Sequence, residues 1–416
     1  MFQKRRIWGV VLVAVLVVSS LAGFGCGNEP VADDGGDPGG GDTKEPITIG
    51  IPLPLTGSKA AFGEIKKNSY LMALEEINAA GGINGHELRF DIQDTQGKAE
   101  VAQAIVEDFI SNKGYPMIAG GYSSTVTYAI AMTAQKYRIP YLSDTGAADK
   151  ITQQGWEYEF RLNPPSSMYN TGLNGFLLEV VEPTSAAILY EHSDFGTSTA
   201  AAFEEWAGEN GVEIVLKEGY ESGALDFKPI LSVIKEEDPD VVYMVSYVMD
   251  AAQLMKQAKE LQLSPKLFAG AAAGFALPEF VENAAGASEY VVTGTLWSPQ
   301  VSYPGAQEYF DQYYEKYGSY TEYHGAEAYS TAYVIKDVLE RAEAFEPEAI
   351  REALEETDLM TVFGPVRFQD FDGYTNQNST PTLVMQVING KHETIWPLEA
   401  ASTEYIYPVP DWDERK

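Results

Sequence analysis

The 416-residue chain has one cysteine, Cys26, and four histidines. A single thiol excludes a disulfide framework and a thiolate metal cluster. His86, His192, His324 and His392 have no metal-ligand spacing, so neither a metal nor a cofactor is expected. Cations are scarce. Lys and Arg number 28 against 61 Asp and Glu, a net charge of −33 at pH 7. That field repels nucleic acid and anionic membrane surfaces and removes both as direct partners. No nucleophile, base and orienting group recur in a triad-like order, and the "GYSST" stretch lacks the G-x-S-x-G elbow. An enzyme is therefore not expected. No spanning segment follows Ile395, so any sensing role would need a separate membrane receptor.

What the chain has begins with "MFQKRRIWGVVLVAVLVVSSLAGFGC". Lys4, Arg5 and Arg6 precede an apolar core from Ile7 to Val18 and then small residues, the three-part pattern of a secretory signal over 1–25. The 19 uncharged residues from Ile7 to Gly25 would barely span a bilayer as an anchor. Gly25-Cys26 resembles a lipoprotein cleavage site, which implies a lipidated Cys26. The family prefers leucine three positions before the cysteine. Here that position is Gly23, and Leu21 lies five before. Residues 26–45 are rich in Gly, Pro and Asp and read as a flexible tether. The expected location is extracytoplasmic, with the membrane reached only through the lipid.

From Ile47 onward, strand-like and helix-like segments alternate. "ITIGIPLP", "LRFDIQD", "PMIAGG" and "IPYLSD" read as strands, separated by helices over 65–80, 99–111 and 125–137. The pattern restarts at "SAAILYE" and continues through "VEIVLKE", "PDVVYMVS" and "PKLFAG". This predicts two doubly wound α/β lobes with parallel sheets. Ligands of such sheets sit beyond the carboxyl ends of the strands. Ser123, Thr145, Tyr247 and Ala272 all fall there.

One turn stands out, "AGGYSSTVTYA". A strand enters Gly120-Gly121, and Tyr122, Ser123 and Ser124 open a helix. Helix starts attract anions through unpaired amides. Ser123 is a candidate anion ligand, or only a helix cap. A phosphate cradle would add a lysine, and this turn has none.

Taken together, several segments make the chain resemble the type I extracellular solute-binding proteins of the branched-chain amino-acid class. They are "IPLPLTGSKAAFGEIKKNSYLMALEEINAAGGINGHELRF", "AGGYSSTVTYAIA", "IPYLSDTGAADKIT", "YEHSDFGTSTAAAFEE" and "LDFKPILSVIKEEDPDVVYMVSY". The resemblance runs from about Pro46 to Ile395. It implies a periplasmic-binding-protein fold in which three crossovers join two lobes and the ligand lies between them. It also implies hinge closure and a partner, the permease of an ABC importer, with the chain acting as a monomer. The crossovers are expected near Leu162–Pro164, Val292–Leu296 and Gly364–Phe368. The N-terminal lobe would then hold 46–163 and 295–365, the C-terminal lobe 164–294 and 366–400, and 401–416 would be a tail.

The resemblance also assigns roles. Tyr122, Ser123 and Ser124 grip the ligand carboxylate. Thr145 supplies a main-chain carbonyl, whereas Ala147 stands where the family has a hydroxyl. Phe62, Phe195 and Tyr247 wall the pocket with aromatic surface, which suits an apolar or ring-bearing side chain. His324 replaces an apolar wall. Ala272 stands where amino-acid-binding members keep the acid that pairs with the ligand ammonium. Either another acid, Asp144 or Glu327, replaces it, or the ligand has no ammonium. The expected ligand is thus a branched-chain amino acid, or a related aromatic or branched-chain acid or amide.

Overall fold

The structure, a computed structural model, describes residues 44–415. The signal segment, Cys26 and the tether up to residue 43 lie outside the described residues. The chain builds two seven-stranded sheets. Strands β1 (Lys44–Leu53), β2 (His86–Asp94), β3 (Ile118–Gly120), β4 (Tyr141–Ser143) and β5 (Glu159–Arg161) form the first. Strands β6 (Ser185–Glu191), β7 (Glu213–Tyr220), β8 (Val241–Val245), β9 (Leu267–Gly270) and β10 (Val292–Thr295) form the second. Later in the chain, β11 (Leu359–Thr361) and β12 (Gly364–Val366) make a separate antiparallel pair. Strands β13 (Gln369–Phe371) and β14 (Tyr374–Gln377) return to the first sheet, and β15 (Leu383–Ile388) and β16 (Lys391–Trp396) to the second.

The strand orders are β2-β1-β3-β4-β5-β14-β13 and β7-β6-β8-β9-β10-β15-β16. Strand β1 pairs in parallel with both β2 and β3, and β6 with both β7 and β8. Each sheet therefore has a switch point, between β1 and β3 and between β6 and β8, where the chain leaves in opposite directions and a crevice opens. The isoleucines of β1 and the valines of β8 are buried, as strands covered on both faces must be.

Several boundaries differ from expectation. The first helix, Ala60–Ala79, starts before Ile65. Its opening turn packs onto the turn after β1 so tightly that a Cβ at Gly63 would sit 2.0 Å from the Pro54 carbonyl oxygen. Strand β1 begins at Lys44, so the end of the expected tether is strand. The third crossover is not at Gly364–Phe368. Strands β13 and β14 still belong to the first sheet, where Gln377 stands in register with Arg161, and the chain passes over between Gln377 and Leu383. Residues 366–377 therefore go with the first lobe. The tail also packs. Trp412 is buried and donates its indole N–H to the Leu263 carbonyl at 2.7 Å. Among the described residues, no helix is long and apolar enough to cross a membrane.

Candidate functional site

The turns after β1, β3, β6 and β8 converge. Phe62 stacks on Tyr122 with ring centroids 4.4 Å apart, and it meets Tyr247 edge-on at 6.1 Å. Tyr247 lies 5.7 Å from Phe195 and 5.8 Å from Tyr122. Aromatic rings from both lobes thus close over a cavity of about 20 Å³, room for about one water. Tyr122, Ser123, Ser124, Thr145 and Ala147 reach it from the first lobe, and Phe195 and Tyr247 from the second. His324 lines it as well. Phe62 does not touch the cavity; it backs Tyr122 and His324. Ala272 does not touch it either. The neighbouring Ala273 does, because Ala272 (φ 50°, ψ −133°) turns the chain inward by one residue.

The anion-seeking turn is built by local geometry. Gly121 has φ 97°, and a Cβ there would lie 2.4 Å from the Tyr141 hydroxyl. Only glycine allows the strand to end so abruptly and Tyr122 to swing over the sheet. Ser123 stands at the cap position of helix Ser124–Tyr137, but its hydroxyl makes no capping bond. The first-turn amides of that helix have no intrahelical acceptor. Ser124 is spent differently, since its Oγ accepts from the Ala148 amide at 3.0 Å. Burial pushes the Tyr122, Tyr169 and Tyr247 phenols well above their usual range, so all three remain O–H donors at neutral pH.

The loop from Asp144 to Ala148 is pinned from every side. Thr127 Oγ1 donates to the Thr145 carbonyl at 3.3 Å, so the carbonyl expected to grip a ligand already has a partner. The fully buried Arg161 donates to the carbonyls of Gly146 (3.0 Å) and Ala148 (2.9 Å). Burial lowers its guanidinium pKa to about 10, which still leaves it charged at neutral pH. The Ser166 amide donates to the Ala147 carbonyl at 2.6 Å.

Neither proposed substitute acid faces the cavity. Asp144 is fully buried beneath the loop, where Lys66 Nζ (2.6 Å) and the Tyr70 hydroxyl (2.6 Å) donate to it. Glu327 is also buried and accepts from Thr145 Oγ1 at 3.1 Å. Burial pushes its carboxyl well above the usual range, against the pull of Lys66. The cavity is lined by hydroxyls, aromatic rings and one imidazole, with no carboxylate among its lining residues.

His324 is buried and its Nδ1 lies 2.9 Å from Glu322 Oε2, so Nδ1 carries the proton toward that carboxylate. Its ring packs against Phe62, Tyr122 and Tyr323. Sequence reasoning missed Tyr169 and Tyr323. Tyr169 lines the cavity, its hydroxyl is 2.6 Å from that of Tyr323, and Tyr323 in turn accepts from the Ala273 amide at 3.0 Å. It also missed Lys59, whose Nζ sits 4.3 Å from the Tyr247 ring centroid and so ties the first lobe to the second. Among the described residues, no group of His, Cys, Asp and Glu is placed to hold a metal ion.

Two mostly parallel sheets, each with antiparallel strands at one edge, and an aromatic-walled crevice between their lobes define a two-lobed solute-binding protein. The family model for periplasmic binding proteins matches residues 46–391, and the chain belongs to that family. It is similar to Leu/Ile/Val-binding protein homolog 8 of Brucella abortus, at 30% identity over 376 residues, covering 85% of this chain and 91% of that one. Its fold matches the substrate-binding protein LivJ of Streptococcus pneumoniae, solved with isoleucine. The TM-score is 0.77 at 24% identity, over 85% of this chain and 100% of that one. It also matches a solute-binding protein of Rhodopseudomonas palustris solved with 3,4-dihydroxybenzoic acid. There the TM-score is 0.73 at 17% identity, over 88% and 98%.

Proposed function

We infer that this chain is the substrate-binding component of an ABC importer and that its ligand is a small carboxylate without an ammonium group, carrying an apolar or aromatic body. One observation carries this reading. The cavity offers Ser123, a helix start and phenolic donors to an anion, but no carboxylate to a cation. Hydrogen bonds to a charged group contribute roughly 1.5–3 kcal/mol each, whereas an ammonium buried without a countercharge costs several kcal/mol. The Rhodopseudomonas structure supports the reading, because a ring-bearing acid occupies the same fold there.

The name of the Brucella relative favours a branched-chain amino acid as the second reading. That ligand would need a countercharge, and Asp144 and Glu327 are both engaged beneath the loop. The cavity is too small for either ligand, so capture requires the lobes to part and close again. The bound solute is passed unchanged to a permease. Lipidated Cys26 would hold a single chain at the outer face of the membrane.

A thermal-shift screen tests this function. A carboxylate such as 4-methylpentanoate, present at about a hundred times its Kd, should add roughly 2.7 kcal/mol of stability. Its neutral amide should add little. Stabilisation by the amide but not the acid would overturn the anion reading.

A further inference from the structure

A cavity of about 460 Å³ lies between the lobes beside the connecting segment Trp297–Gln300. Pro278, Val281 and Met385 face it from the second lobe, and Phe310 and Tyr320 from the side of the first. It is separate from the closed cleft, since no residue lines both. Aromatic rings run along one wall, through Trp297, Phe310 and Tyr320, and on to Tyr314 outside it. Tyr314 stacks on Tyr320 at 4.7 Å and 17°, Tyr320 on Phe310 at 5.6 Å and 14°, and Phe310 lies 6.5 Å from Trp297. Tyr320 is 50% exposed, so the run leads from solvent inward. The Trp297 indole N–H is already bound to the Val362 carbonyl at 2.7 Å, so the indole offers an occupant no free donor.

The charged lining is unbalanced. Glu282, Glu322 and Glu393 contribute carboxylates against one cation, Lys391. Burial lowers the His392 pKa, against the pull of its Nε2 hydrogen bond to the Phe275 carbonyl at 2.8 Å. The field is felt nearby. The Glu279 carboxyl is pushed up by burial and then by Glu322, Glu282 and Glu64. Aromatic faces and carboxylates both attract cations, and a volume of this size suits a small organic molecule.

We propose that this cavity is a second small-molecule site, which takes an organic ammonium ion with an aromatic or apolar body. The body lies along Phe310, Tyr320 and Trp297, and the ammonium faces Glu282 and Glu322. An occupant touches both lobes. The site is distinct from the anion-binding cleft in position and in charge preference.

Calorimetric titration with 2-phenylethylammonium, and with neutral 2-phenylethanol as its counterpart, tests the proposal. The cation should bind at one site, at least about tenfold tighter than the alcohol, and more weakly as salt rises. Glu282→Gln, an exposed position on a short helix, should weaken the cation severalfold while the chain stays folded and keeps its affinity for the cleft ligand. Phe310→Ala should weaken both probes. Ser123→Ala should leave cation binding unchanged. Equal affinity for cation and alcohol, no binding below about 5 mM, or loss of binding in Ser123→Ala but not in Glu282→Gln would each overturn it.

Discussion

Lys66 Nζ and Asp144 Oδ1 lie 2.6 Å apart, and neither side chain is exposed to solvent at all. The pair sits directly beneath the loop that lines the ligand cleft. Lys66 also donates to Thr145 Oγ1 at 2.6 Å, and Tyr70 donates to the second oxygen of Asp144. Breaking such a pair from one side leaves a buried charge uncompensated. Lys66→Met should cost about 3–5 kcal/mol in urea unfolding. The double variant Lys66→Met, Asp144→Asn should lose less than the sum of the single changes. A loss under about 1 kcal/mol for Lys66→Met would mean that the pair does not hold the loop.

Glu327 gives a pH prediction. Its carboxyl pKa is raised in the folded chain, chiefly by burial, above the ordinary value of 4.5. The folded state therefore holds a proton that the unfolded state releases as pH rises past about 4.3. The stability tied to this proton is complete below that pH and is lost as pH climbs toward the raised folded value. Glu327→Gln removes the ionisation. Measured by urea unfolding at pH 5 and pH 8, its stability relative to the unmodified chain should rise with pH. A constant difference would show that Glu327 does not titrate on unfolding.

Ser123 separates binding from folding. Its hydroxyl makes no capping bond, so Ser123→Ala should change stability by less than about 1 kcal/mol. The same change should weaken a carboxylate ligand by roughly 1.5–3 kcal/mol, more than tenfold in Kd. Unchanged affinity would assign the anion to the helix amides alone.

Ala272 is strained. With φ 50° and ψ −133° it occupies a region that favours glycine, and Ala273 follows at φ 43°. Relief of such a conformation contributes about 1–3 kcal/mol, against about 0.5–1 kcal/mol of added chain entropy for glycine. Ala272→Gly should therefore stabilise the chain in urea unfolding. Destabilisation would show that the conformation carries no strain.

Both sheets and the abrupt turn after β3 can be read from the sequence, because their signals are local. β-branched runs mark the central strands, and Gly120-Gly121 followed by Tyr122-Ser123-Ser124 marks an abrupt strand end. The resemblance points to Ala272 as the position without an acid, whereas Ala273 is the residue that reaches the cavity. The parts that could not be read depend on long-range burial. Lys66-Lys67 looks like a solvated helix face, yet Lys66 is fully buried. Strand β5 is three residues long and carries Glu159 and Arg161, both buried charges in a stretch that reads as loop. Strands β13 and β14 are short and polar, so the third crossover was placed too early. Asp144 looked free to replace a lost contact because nothing in the sequence connects it to Lys66, 78 positions earlier.

The proposed function gives the cleft a preference for a carboxylate without an ammonium. Calorimetric titration of the chain with 4-methylpentanoate and with leucine, which differ only in the ammonium group, tests it most directly. 4-Methylpentanoate should bind at least about tenfold tighter, a difference of about 1.4 kcal/mol or more. Leucine binding as tightly as the des-amino acid, or more tightly, would contradict it.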